Sequence, residues 1–168
     1  MWFLKLTGFL LMTGGGAYLG YKKSSYYKNR EKLLSETILL CDSIINDITY
    51  FQPALKELLN NRLYSFNALK QPLTDYIRLI ESTQNIHIDI LKNNITKGSF
   101  NDEEFTLFIQ LLDILGKSDS QTQRGGILSI KEALLIKQQS ALEERKKYGG
   151  LYFKLGVLGG LTAGVIIL

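Results

Sequence analysis

Reactive residue types are scarce in this sequence. Cys41 is the one cysteine in 168 residues, which excludes an internal disulfide framework. It lies in an apolar helical pattern and reads as a small buried hydrophobe rather than a reactive thiol. His87 is the one histidine, so histidine metal sites and nucleophile–histidine triads lack members. Flanked by Ile86, Ile88 and Ile90, it reads as a packed or half-exposed side chain. No phosphate-binding Gly-x-x-x-x-Gly-Lys loop occurs, and Gly14-Gly15-Gly16 lacks the strand–loop–helix setting that such a loop needs. The pairs Glu103-Glu104 and Glu143-Glu144 read as solvated helix faces. The chain is therefore not read as an enzyme, and no cofactor, metal or catalytic residue is expected.

Charge is nearly absent from both ends. Residues 1–21 and 151–168 hold only Lys5 and Lys154, while the stretch between them holds all 16 acidic residues. The net charge of +4 is itself uneven. Lys22, Lys23, Lys28, Arg30 and Lys32 face only Glu31 in one cluster, and Arg145, Lys146, Lys147 and Lys154 form a second without an acid. Residues 33–144 carry ten basic residues against fifteen acidic ones. A nucleic-acid surface spreads its charge over a folded face, so nucleic acid is not an expected partner. Charge bordering an apolar segment reads as a membrane flank.

The closing segment, LYFKLGVLGGLTAGVIIL, is the most apolar. Eighteen helical residues at ~1.5 Å each span about 27 Å, close to the apolar thickness of a bilayer. Its Leu, Ile, Val and Phe residues supply roughly −3 to −6 kcal/mol of insertion free energy. Lys154 lies near one end and can snorkel, and Tyr148 and Tyr152 sit at interface depth. A buried core helix is the rival reading, but the segment has no polar face. On the membrane reading, the chain stops where the far side is reached. The opening segment through Tyr21 is a second candidate span, diluted by five glycines. Its rival is a signal peptide with Lys5 as the charged region. Both basic clusters face the middle of the chain, which predicts a cytoplasmic middle and both termini outside. The expected division is a transmembrane helix over 1–21, a helical bundle over 22–147 and a transmembrane helix over 148–168.

Gly156, Gly160 and Gly164 recur every fourth residue, with Gly159 and Ala163 beside them. Gly16 and Gly20 repeat the pattern near the N-terminus. Such faces let helix backbones approach closely. The partner is the first span, another copy of the chain or another protein.

Two prolines and no sustained alternation leave the middle all-α. A helix is predicted from about Tyr26 to Phe51, broken at Gln52-Pro53, with Pro53 able to open the next. A short helix carries Leu55, Leu58, Leu59 and Leu63. Further helices are predicted over Leu73–Ile80, Ile86–Ile95 and Phe105–Leu115, the last capped by Asn101 or Asp102. The final helix places Ile127, Leu128, Ile130, Leu134, Leu135, Ala141 and Leu142 on one broad face. Leu128, Leu135 and Leu142 keep a seven-residue spacing that suits a bundle or a partner helix. Gly149-Gly150 offers the one expected bend before the membrane segment. Between the last two helices, Leu115 and Gly116 read as a helix end. Ser118 or Asp119 reads as the next cap, and Ser118 with Gln121 or Ser120 with Gln123 makes a capping box.

The run Leu115-Gly116-x-x-Asp119-x-x-x-Gln123, followed by a long amphipathic helix, a basic border and a glycine-rich terminal segment, resembles the stage III sporulation protein AB family of endospore-forming bacteria. Asp47-Ile48-Thr49-Tyr50 with Pro53 and Leu55 is similar to that family's acidic-Ile-x-Tyr and Pro-Leu segment, with Asp47 in place of its glutamate. The resemblance implies a component of a secretion-like channel complex in the mother-cell membrane, the outer membrane around the forespore. It is similar to the inner-membrane platform proteins of type II secretion and type IV pilus systems. It also implies docking of a neighbouring ATPase-like protein, stage III sporulation protein AA. A small transporter or pore subunit is the alternative, but no charged residue falls near the middle of either apolar segment.

Overall fold

The computed structural model describes residues 2–50, 55–83, 86–115 and 120–167. Six helices follow in order: α1 Trp2–Tyr50, α2 Leu55–Leu63, α3 Lys70–Ser82, α4 Ile88–Asn94, α5 Asp102–Ile114 and α6 Ser120–Ile167. No strand occurs among the described residues, so the chain is all-α.

Two helices are far longer than the rest, and in both an apolar end is continuous with a helix of the middle segment. Helix α1 runs for 49 residues and joins the N-terminal apolar segment to the helix expected from Tyr26. The linking residues Tyr21 to Tyr26 contain no proline or glycine, and nothing there frees the chain from the helix. Helix α6 runs for 48 residues and passes through Gly125-Gly126 and Gly149-Gly150 without interruption. Glycine costs a helix only about 1 kcal/mol per residue, and here the neighbouring turns outweigh it. The bend expected at Gly149-Gly150 is thus a continuous helix.

Helix α3 begins at Lys70, earlier than the predicted Leu73. Pro72 lies in its first turn, where a missing N–H breaks no helical bond. Helix α5 starts on a capping box, in which the Asn101 side chain accepts from the Glu104 N–H at 2.8 Å and the Glu104 carboxylate accepts from the Asn101 N–H at 2.9 Å. Of the two cap candidates, the structure selects Asn101. Gly98, at φ 60°, lets the chain turn into this cap.

The chain divides into two compact units, Met1–Glu31 with Ser140–Leu168, and Lys32–Gln139. Residues 22–31 and 140–147 fall in the first unit, together with the apolar ends. Within the second unit, Leu34, Leu40, Ile44, Leu59, Leu69, Leu73, Leu91, Phe108, Ile109, Leu111 and Ile127 are fully buried, so α1 to α6 all contribute to the core. Of the apolar face predicted on α6, Ile127, Ile130, Leu134 and Ala141 are buried, whereas Leu128 and Leu135 are exposed and Leu142 is half-buried. The seven-residue leucine spacing therefore lies beside the core stripe. Gln52, Pro53, Gly116, Ser118 and Asp119 lie outside the described residues.

Candidate functional site

In the unit formed by the chain ends, α1 and α6 meet through glycine. A methyl group on Gly16 would stand 2.5 Å from the Gly156 carbonyl oxygen and 2.8 Å from the Gly160 Cα. On Gly20 it would stand 2.6 Å from the Tyr152 carbonyl oxygen. On Gly156 it would stand 2.8 Å from the Gly20 Cα, and on Gly160 2.9 Å from both the Met12 carbonyl oxygen and the Thr13 Cα. On Gly164 it would press into the Phe9 ring at 2.7 Å. Five glycines thus form an antiparallel seam with no room for a side chain, the close approach that small residues permit in apolar surroundings. Gly156, Gly160 and Gly164 lie against α1 of the same chain. Gly159 faces open space instead.

The threonines of these ends need no water. The Thr7 hydroxyl donates to the Phe3 carbonyl at 2.9 Å, Thr13 to Phe9 at 2.9 Å and Thr162 to Leu158 at 3.1 Å. Each satisfies its polar group inside its own helix, as an apolar medium requires. One helix, over Gln123–Ile166, is long and apolar enough to cross a membrane by length and composition, and its apolar window is only 11% buried. A soluble core helix of the same composition would be mostly buried. No other helix among the described residues meets that measure. In α1 the glycines and Lys5 lower the average.

At the inner end of the seam stands an aromatic and charged collar. The Tyr27 ring stacks on Tyr152 with centroids 5.8 Å apart and lies 5.7 Å from Tyr148. Lys23 sits 5.9 Å from the ring centroids of Tyr26 and Tyr152. Arg30 pairs with Glu144 at 2.6 Å and Arg145 with Glu31 at 2.8 Å. The Ser24 hydroxyl donates to the Gly149 carbonyl. Amphipathic rings beside Lys and Arg at the end of an apolar segment match a membrane–water boundary.

The second unit is fastened by contacts that the sequence pattern does not reveal. The Glu36 carboxylate of α1 is buried and accepts from the backbone N–H groups of Asn67, Ala68 and Leu69 at 3.2, 2.7 and 2.9 Å. These amides precede α3, whose cap residue Leu69 offers no side-chain acceptor. A carboxylate from another helix does the capping, where the helix dipole also favours negative charge. The buried Tyr76 hydroxyl donates to the Leu112 carbonyl at 2.8 Å and ties α3 to α5. Burial, then the nearby Asp113, raises the pKa of that phenol. Burial, then Asp42, pushes the Cys41 thiol up to about 12, leaving it protonated and unreactive at neutral pH.

In the family motif, Leu115 is buried and the Gln123 side-chain amide donates to the Ile114 carbonyl at 3.4 Å. Gln123 thus reaches back to the end of α5. Three surface charges are already engaged or in contact: Lys131 pairs with Asp42 at 2.5 Å, Lys137 pairs with Glu103, and Glu143 also has an interaction. Exposed apolar side chains flank the first pair. Leu128 and Leu135 lie one turn either side of Lys131, and Leu39 lies one turn from Asp42. Ile136, 71% exposed, extends this apolar surface along α6. His87 is exposed just before α4.

The described helices form two units, a glycine-closed helix pair at the apolar chain ends and a helical unit over Lys32–Gln139. The chain belongs to the stage III sporulation protein AB family, whose model matches residues 5–168. It is therefore a sporulation-related protein. Comparison with curated proteins and with solved structures found no match.

Proposed function

We propose that this chain is a membrane-anchored assembly protein of the mother-cell membrane around the forespore. Both apolar ends sit in the bilayer, with the helical unit in the cytoplasm and both termini outside. The observation that carries this reading is the exposed apolar window of α6, paired to α1 through glycine and ending in a tyrosine–lysine collar. The helical unit docks a secretion-type ATPase resembling stage III sporulation protein AA within a channel complex, and the protein itself performs no reaction. The platform analogy supports this role at the level of family and layout. The alternative, a small transporter or pore subunit, gains nothing from a seam in which backbone lies on backbone with no path between the helices.

Co-purification of the full-length chain with that ATPase from detergent-solubilised membranes tests docking. The exposed apolar surface is the face to perturb, because Lys131 and Lys137 are engaged in ion pairs within the unit. Leu135→Glu or Ile136→Glu is expected to abolish co-purification while leaving the helical content unchanged. Retention of the ATPase by both variants, or its absence with the native chain, refutes the docking role.

A further inference from the structure

Beside the glycine seam runs an open apolar groove of about 610 Å³. Its floor is the backbone at Gly16, Gly20, Gly156 and Gly160, and Leu11, Leu19 and Leu155 form its walls. Lys23 and Tyr152 stand at its inner end. From Leu11 to Lys23, at ~1.5 Å per helical residue, the groove extends for about 18 Å. One leaflet of a bilayer is about half of a ~30 Å apolar core. The groove thus has the length of one acyl chain, with a cation where the lipid phosphate lies.

Charge selects the headgroup. The unit formed by the chain ends holds nine basic residues against three acidic ones, a net charge of +6. Glu31 and Glu144 are engaged by Arg145 and Arg30. Lys23 has no carboxylate partner among the described residues and rests near two tyrosine rings. Basic pockets between membrane helices on the cytoplasmic side favour anionic headgroups. We infer that this groove binds one anionic phospholipid, its acyl chain along the glycine floor and its phosphate at Lys23. The inference rests on the membrane reading above and adds a specific lipid site to it.

Native mass spectrometry of the full chain, delipidated in mild detergent and offered phosphatidylglycerol or phosphatidylcholine of equal chain length, tests the site. The native chain is expected to retain phosphatidylglycerol in preference to phosphatidylcholine. Lys23→Gln should cut that preference about fivefold, the share of one lysine near a membrane surface. Gly159 lines the groove and its Cβ would meet open space, so Gly159→Leu should fill the groove and remove both lipids without loss of thermal stability. Equal retention of the two lipids, or unchanged retention in Gly159→Leu, overturns the assignment. So does Gly159→Leu dissociating a second polypeptide while lipid retention persists, because the groove then holds a protein helix. A chain that fails to enter vesicles of these lipids refutes both the membrane reading and the site. A chain that enters them yet retains no lipid refutes the site alone.

Discussion

Glu36→Ala removes a carboxylate that accepts three backbone amides ahead of α3. The amides differ in what they lose. Asn67 is exposed and can turn to water, whereas Leu69 is fully buried and Ala68 half-buried. Two poorly hydrated donors at ~1–3 kcal/mol each put the cost at about 2–6 kcal/mol. Against a domain stability of about 5–15 kcal/mol, that is a large share. The expected drop in melting temperature is about 8–25 °C for a unit of this size. Glu36→Gln keeps one acceptor oxygen and loses the charge, so it should cost about half as much. Circular dichroism melting of the full chain in detergent measures the loss. Amide hydrogen exchange in a peptide spanning 64–72 localises it, with faster exchange in Glu36→Ala. A melting temperature within about 2 °C of native, together with unchanged exchange in that peptide, would refute this account of how α3 is capped.

Gly160→Leu and Gly16→Leu drive a side chain into the facing backbone, whereas Gly159→Leu and Gly15→Leu enter open space. The first pair should destabilise the detergent-solubilised chain by about 1–3 kcal/mol or more and the second pair should not, as thermal melts will show. Asn101→Ala breaks the α5 capping box and should cost about 1 kcal/mol, while Asn101→Asp should be close to neutral in the same melts. Cys41 and Tyr76 both have pKa values raised by burial. Their protonated forms are favoured in the folded state, so this contribution is fully present below the ordinary thiol and phenol values of 9.0 and 10.0. It is lost as pH climbs from there toward the raised values. A denaturation series should therefore show stability falling above about pH 9. Cys41 should react with a thiol reagent at pH 8 only when denaturant unfolds the chain.

What could be read in the sequence was mostly local or periodic. The four-residue recurrence of Gly156, Gly160 and Gly164 marks a close-packing face without any knowledge of the partner, and a cap at Asn101 or Asp102 follows from an Asn before three acids, the structure selecting Asn101. Start and stop signals place α2 and α5 closely but not the start of α3, because a proline such as Pro72 suits a loop as well as a first helical turn. The seven-residue leucine spacing on α6 was misleading. Regular spacing does not say which of two adjacent stripes is buried, and Ile127, Ile130 and Leu134 face the core instead. Glu36 left no signal at all, because its partners lie 31 to 33 residues away along the chain. A lone glutamate on a helix reads as solvated until the fold brings amides to it. Lys23 was legible as a member of a basic cluster, but its place at the mouth of a groove depends on the pairing of the two chain ends.

The account rests on the apolar ends lying in a bilayer, and extraction of sporulating-cell membranes with alkaline carbonate tests that most directly. The full-length chain should remain in the membrane pellet and leave it only with detergent. Recovery of the intact chain in the carbonate supernatant would contradict the account.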